Sequence, residues 1–270
     1  MIRGFLLLAG ALLVLGAAIE PPSQPVVLSP AEAVKQGREL VAKILSEQPA
    51  KNLTNTGALK IRDAKGKRTE IPVWFNIIPT ETNWLSAYRA LNVSGSPETN
   101  IIVELAVIHA NQQPNAYHLS ESGWRSVDSK ETLSVMAPTN TTIRDLPGNA
   151  SMIPFVNSDF WLADLGLEFF HWPEQRLLRK EIRRGQSCSV LESVNPHPAP
   201  GAYSRVLSWI DIDTDGIINA DAYDAQGKLL KQFAAKSFKK VHGEWELQEI
   251  EMLNRQTGSR TSIEFNLSSK

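Results

Sequence analysis

The stretch that decides the fold is Tyr203–Phe233, YSRVLSWIDIDTDGIINADAYDAQGKLLKQF. It permits two interpretations, and they lead to different functions. In the first, an EF-hand calcium loop, the early ligand positions and the turn glycine would be filled by Asp211, Asp213, Asp215 and Gly216.

The second interpretation is a series of three strands, and the residue types favour it. The twelfth position of the loop needs a bidentate acid to complete a calcium shell, and this chain has Ala222 there. The flanking residues are mostly β-branched and aromatic, which is typical of strands rather than of the two helices of an EF-hand. We therefore predict strands joined by polar turns at Asp213–Gly216 and Asp224–Gly227, with the acids of the first turn solvated and bonded to their own backbone. The calcium loop remains the alternative.

The amino terminus indicates export. Arg3 precedes an apolar run from Phe5 to Leu15, and Gly16-Ala17-Ala18 follows it. This pattern predicts a secretory signal peptide over residues 1–18, since the apolar run is shorter than the ~20 residues of a membrane-spanning helix. An uncleaved anchor is the alternative. Residues 19–28 form a proline-rich spacer, and no cysteine in this region could carry a lipid.

The composition excludes several classes of partner. The formal net charge of −1 gives no electrostatic reason to expect nucleic acid or an anionic membrane surface. Cys188 is the only cysteine, so an internal disulfide is impossible, and its setting predicts a small buried residue in a strand rather than a catalytic thiol. Residues 29–270 are expected to form a single domain, most simply as a monomer.

A helix should open this domain. Ser29-Pro30-Ala31-Glu32 has the serine, proline and glutamate of a capped helix start, and Pro49 blocks continuation beyond about Ser46. Further strands follow from alternation of apolar and polar residues. They are predicted at 56–61, 69–77, 84–91, 100–109, 116–119, 176–182, 188–194, 245–253 and 261–267.

The middle of the chain is less regular. Residues 126–158 are predicted to be loop, with a short helix at 130–135. A second short helix is predicted over Asp159–Leu165, capped by Ser158 and closed by Gly166. Nearly all its non-acidic residues are apolar, which indicates that it is covered on more than one side.

These elements predict the fold class. About ten or eleven antiparallel strands with few helices make a mainly β (α+β) protein, and so large a sheet must curl or split. Curling around the helices would give an unclosed β-barrel with an apolar pocket.

The order of several motifs resembles the LolA-like outer-membrane lipoprotein-sorting proteins. The motifs are Gly57-x-Leu59, the turn Asp63 to Gly66, Ile71-Pro72-Val73, Phe155 to Leu165, Cys188 to Glu192, Trp209-Ile210-Asp211, Tyr223-Asp224-x-x-Gly227-Lys228 and Glu251-Met252-x-Asn254-x-x-Thr257-Gly258. This resemblance implies an unclosed antiparallel β-barrel with a helical lid. It also implies a periplasmic carrier whose apolar cavity takes the acyl chains of lipoproteins or lipids, with lipoprotein transfer proteins of the inner and outer membranes as possible partners.

The resemblance leaves one alternative open. No residue here can be matched to the arginine that holds the lid closed in the best-known carriers, so the trigger for release is not implied. Domains of the same shape also serve as envelope sensors or protein-binding modules without transport activity.

No catalytic motif accompanies this fold, so we predict neither an enzyme nor a cofactor. His109 and His118 could meet across a hairpin, but without a nearby acid they predict no metal site. The candidate lipid-binding and lid residues share an apolar or aromatic character, with ordinary core as the alternative. They are Phe160, Trp161, Leu165, Leu167, Phe169, Phe170 and Trp172.

Overall fold

A computed structural model describes residues 28–93, 99–109, 113–127, 135–241 and 243–267. The predicted signal peptide, the spacer up to residue 27, residues 130–134 of the predicted helix, and His242 lie outside this range. Among the described residues, no helix is long and apolar enough to cross a membrane.

The described residues form two α-helices, two 3-10 turns and thirteen strands. The helices are α1 (Pro30–Ser46) and α2 (Leu162–Leu165), and the 3-10 turns are Gly148–Ala150 and Glu168–His171. The strands are β1 (Leu53–Arg62), β2 (Arg68–Pro79), β3 (Trp84–Val93), β4 (Thr99–His109), β5 (Ala116–Val127), β6 (Val135–Pro147), β7 (Glu174–Arg183), β8 (Gln186–Val194), β9 (Arg205–Asp211), β10 (Ile217–Tyr223), β11 (Leu229–Val241), β12 (Glu244–Asn254) and β13 (Arg260–Phe265).

The chain divides into two compact units, each discontinuous in sequence. Of the described residues, unit A comprises those of Pro49–Glu168 and Thr257–Asn266, and unit B comprises those of Phe169–Gln256 together with residues 28–48 and Leu267. In unit A the strand order is β6-β5-β4-β3-β2-β1-β13, and in unit B it is β12-β11-β10-β9-β8-β7. The predicted class, a mainly β protein with a large, unclosed antiparallel sheet and few helices, is confirmed. The single domain over 29–270 stays a prediction.

Alternation of side chains builds the buried face of unit A. In β2, Ile71, Val73, Phe75 and Ile77 are buried, while the residues between them are exposed or half-buried. The predicted hairpin of β1 and β2 is confirmed, with Leu59 opposite Ile71.

Strand β6 corrects the sequence interpretation of 126–158. We predicted loop there because of its prolines, but β5 continues to Val127 and β6 pairs with it over Val135–Pro147. Pro138 lies opposite Trp124, and Pro147 lies opposite Ala116. Since β6 ends the strand order of its unit, the missing amide of a proline breaks no second ladder.

Residues Tyr203–Phe233 contribute to strands β9, β10 and β11, as predicted. Strands thus stand where an EF-hand would have helices. The Asp211 carboxylate accepts the amides of Asp213 at 2.8 Å and Thr214 at 3.3 Å. The turn is less solvated than expected, because Asp211 is buried and Asp215 pairs with Lys43 at 2.6 Å.

Helix α1 begins where its cap predicts and packs on β7 within unit B. The Ser29 hydroxyl accepts the amide of Glu32 at 3.3 Å. The contact with β7 requires a glycine, because a Cβ on Gly37 would lie 2.7 Å from the Cα of Arg176.

Gly37→Ala should therefore destabilise the protein. Overpacking against a backbone costs roughly 1–3 kcal/mol, which exceeds the ~1 kcal/mol that alanine gains in helix propensity. We expect a net loss of about 1 kcal/mol in the free energy of unfolding, measured in urea. Arg38→Ala, at the next and exposed position, is the control and should change stability by less than about 0.5 kcal/mol. A Gly37→Ala protein as stable as wild type would show that α1 does not pack this closely.

Candidate functional site

The α2 segment, defined as residues 148–168, is the part of unit A that carries four of the predicted lid residues. Its helix is shorter than predicted: α2 starts at Leu162, not Asp159, and the Asp164 carboxylate caps it by accepting the amide of Trp161 at 2.7 Å. The reason is a tight turn just before it, in which the amide of Phe155 donates to the carbonyl of Phe160 at 2.8 Å. The predicted stop at Gly166 is confirmed.

Side chains from the sheet of unit A hold the carbonyl end of α2. The Tyr88 hydroxyl donates to the carbonyl of Leu165 at 2.9 Å, and the Asn115 amide donates to that of Gly166 at 2.7 Å. The last carbonyls of a helix have no partner within it. Strand β3 and the connection between β4 and β5 therefore supply the hydrogen-bond donors that a one-turn helix lacks at its carbonyl end.

A buried carboxylate fixes the other end of the segment. Asp159 accepts the hydroxyls of Ser259 at 2.6 Å and Thr261 at 2.9 Å. Its own amide donates to the Thr261 hydroxyl at 3.0 Å. A buried charge is tolerated only when it is hydrogen-bonded in this way, so β13 secures the segment close to where α2 begins.

Glu168 closes the segment with a second buried carboxyl, only 3% exposed. The Tyr117 hydroxyl donates to its Oε2 at 2.9 Å. Burial raises the pKa of Glu168 to about 7, although the hydrogen bonds from Tyr117 and Asn115 oppose that rise. Near neutral pH this carboxyl therefore exists in both protonation states.

Two glycines leave room for this network. A Cβ on Gly148 would lie 1.8 Å from Oε1 of Glu168, and one on Gly166 would lie 2.2 Å from the hydroxyl of Tyr117. A side chain at either position would displace the Glu168 carboxyl or the Tyr117 hydroxyl from where the two form their hydrogen bond.

The predicted lid residues fall into two groups. In unit A, Phe160 and Leu165 are buried, whereas Trp161 and Leu167 keep part of their surface accessible. Leu167 adopts a φ of 51°, which sets the direction of the chain after the Gly166 stop.

The second group lies in unit B and forms an aromatic cluster. The ring centroids of Phe169 and Phe170 are 4.7 Å apart, and those of Phe169 and Trp172 are 6.4 Å apart. The Gln175 amide donates to the carbonyls of Phe169 and Trp172, at 3.0 Å each. Burial lowers the pKa of His171 to about 4, so its imidazole is neutral at pH 7.

Sequence reasoning missed the polar residues that position the segment. Tyr88, Asn115, Tyr117, Asp159 and Glu168 carry no motif. Only Glu168 gave a local signal, as a single acid inside the apolar run Leu167–Phe170.

The two histidines do not form a pair. His109 stacks on Trp84 with ring centroids 3.6 Å apart and bonds the Ser86 hydroxyl at 2.8 Å. His118 instead meets Asp145 at 2.5 Å. In the part of the chain that the structure describes, no group of three or more potential ligands from histidine, cysteine, aspartate and glutamate could hold a metal ion.

Comparison with solved structures shows proteins of similar fold. A domain from Vibrio parahaemolyticus named for outer membrane lipoprotein sorting has a TM-score of 0.60 at 17% identity, over 86% of this chain and 91% of that one. A DUF1329 family protein from Desulfovibrio piger has a TM-score of 0.53 at 19% identity, over 87% of this chain and 91% of that one. The resemblance to lipoprotein-sorting proteins is thus confirmed as a likeness of fold.

Comparison of the sequence with family models gives a match, whereas comparison with curated proteins gives none. A family model described as "Uncharacterized protein" matches residues 124–268. No curated protein is significantly similar to the chain.

The Glu168 carboxyl predicts a pH dependence of stability. Its pKa rises from 4.5 to about 7 on folding, so the folded protein binds this proton more tightly than the unfolded chain. The stabilisation is complete below pH 4.5, is lost as the pH rises through about 7, and amounts to about 3 kcal/mol.

Glu168→Gln resembles the protonated form and should not lose this stability. Urea unfolding across the same pH window should show wild type falling relative to the variant. Glu70→Gln, at an exposed position of β2, is the control and should follow wild type. Parallel pH profiles for wild type and Glu168→Gln would contradict the prediction.

Proposed function

We propose that this chain, which belongs to the family whose model matches residues 124–268, is a periplasmic carrier. It would bind the acyl chains of lipoproteins or other lipids and deliver them toward the outer membrane. The proposal requires no cofactor and no catalytic step. The periplasmic location rests on the export pattern of residues 1–18.

The observation that carries the proposal is how the α2 segment is attached. Its helix is a single turn, which has little stability of its own in water. Apolar packing and a few hydrogen bonds to side chains, among them Tyr88 and Asn115, hold it in place. Such a segment can leave the sheet as a unit, which is what a lid must do.

The energies are compatible with displacement by an acyl chain. Each buried methylene contributes about 0.8 kcal/mol, so one long chain supplies about 10 kcal/mol before ordering costs. An acyl chain that replaces the apolar residues of the segment exchanges one apolar contact for another. The remaining cost is then mainly the hydrogen bonds, at about 1 kcal/mol for each neutral pair and roughly 1.5–3 kcal/mol for each bond to the Asp159 carboxylate.

We assign the lid role in unit A to Phe160, Trp161, Leu165 and Leu167. Phe169, Phe170 and Trp172 are proposed as apolar lining in unit B. The fold likeness to a domain named for outer membrane lipoprotein sorting supports the choice of an acylated ligand.

The first experiment asks whether the protein holds lipid. The purified chain should release lipid on organic extraction, detected by mass spectrometry, and should bind a fluorescent fatty acyl probe. A protein that yields no lipid and binds no probe would contradict the carrier, and stable capture of an envelope protein instead would favour the sensor or binding module.

Tyr88→Phe tests the lid more sharply. Removing its hydrogen bond to the Leu165 carbonyl should lower stability by about 1 kcal/mol and tighten probe binding by about fivefold, since displacement then costs less. Tyr223→Phe, in unit B, is the matched control and should leave probe affinity unchanged. If Tyr88→Phe loses stability without gaining affinity, the segment is permanent core.

A further inference from the structure

Strands β3 and β4 are apolar on both sides. Their buried side in unit A carries Tyr88, Ala90, Val103, Leu105 and Val107. The opposite side, here called the open face, has six half-buried apolar residues and two exposed charged ones. They are Leu85, Ala87, Leu91, Ile102, Ala106 and Ile108, with Arg89 and Glu104. A strand with one side in water normally alternates apolar with polar residues, so an open face with a single pair of charges is unusual.

The open face is built of four cross-strand rows. Arg89 lies opposite Glu104, and the other three rows are Leu85 with Ile108, Ala87 with Ala106, and Leu91 with Ile102. Residues directly opposite in an antiparallel pair have their side chains on the same side of the sheet. Arg89 and Glu104 form an ion pair at 3.2 Å, with apolar rows on both sides of it.

The neighbouring strands extend this surface. Trp74 and Ile78 of β2 are 38% and 39% exposed, and the guanidinium of Arg89 lies 6.0 Å from the Trp74 ring centroid. On the other side, β5 presents the small residues Ser120 and Ala116 beside Glu104 and Ile108. Four strands spaced about 4.8 Å apart, over seven residues of about 3.3 Å, make a surface on the order of a few hundred Å². Its size is that of the largest apolar patch on a typical monomer, which is often a functional surface.

We propose that a second copy of this chain covers the open face. The two sheets would pack face to face about a two-fold axis that runs parallel to the strands, midway between β3 and β4. Such an axis places each residue of β3 against the β4 residue of its own row in the other copy. Arg89 of one protomer then meets Glu104 of the partner subunit, and every apolar row meets an apolar row.

The same axis fits the flanking strands by size. It sets Trp74 against Ser120 of the partner subunit and Ile78 against Ala116 of the partner subunit, a large side chain over a small one in both cases. The row between them sets the polar Asn76 against His118 of the partner subunit. Self-complementarity of one surface is the requirement of a two-fold dimer. The charges of the face also balance, whereas an anionic membrane would need an excess of cations.

The dimer predicts a charge-reversal experiment. Sedimentation velocity over a wide range of protein concentration should show a reversible monomer–dimer equilibrium. Arg89→Glu and Glu104→Arg should each weaken the dimer by at least about tenfold, because like charges then face each other across the interface.

Mixing the two variants distinguishes loss of the contact between subunits from loss of the ion pair within one chain. Neither variant contains an internal Arg89–Glu104 pair, yet an equimolar mixture should recover the dimer, because each contact across the axis is again between opposite charges. Ile182→Asp, which changes a 76% exposed isoleucine in unit B, is the control and should dimerise like wild type. Circular dichroism checks that all variants fold.

Three results would overturn the proposal. They are a wild-type protein that stays monomeric at every concentration, single variants that dimerise as well as wild type, and a mixture of variants that remains monomeric. Binding of wild type to anionic vesicles in place of self-association would assign the open face to a membrane instead.

Discussion

The structure of unit A depends on supplying donors to the buried carbonyls of the α2 segment. A helix of one turn leaves its carbonyl end unsatisfied, and a buried carbonyl without a donor costs free energy comparable to a lost hydrogen bond. Tyr88 and Asn115 supply these donors from the sheet. Other features bring the segment within reach of these donors. They are the glycines at 148 and 166, the buried Glu168 and the turn before α2.

Much of the fold was predictable, since its signals are local. Alternation in β1 and β2, or around Tyr203–Phe233, is set by neighbours along the chain, and the turns between strands carry the expected polar residues and glycines. The positioning network was not predictable, because its partners are far apart in sequence. Tyr88 and Leu165 are separated by 77 residues, and nothing near either one indicates the other. Strand β6 was missed for a different reason, since its prolines count against a strand unless it ends the sheet order.

The β3–β4 pair has apolar residues on both of its sides, one in the core of unit A and the other on the open face. The buried side packs in the core of unit A, with Tyr88 reaching the α2 segment. The open face repeats the same apolar character toward the outside. A sequence reader sees only a nearly continuous apolar run in β4, which is typical of a strand covered on both sides. The register of the sheet is what separates the residues of the core from those available to a partner.

The close approach of Gly148 to Glu168, and of Gly166 to Tyr117, also constrains how the sequence can evolve. At both sites the space that glycine leaves is occupied by the polar end of a longer side chain. A larger residue at 148 requires either a shift of the Glu168 carboxyl or a shorter residue at 168, and one at 166 requires the same of Tyr117. In related sequences these positions should change in pairs, and an acid at 168 should be accompanied by glycine at 148.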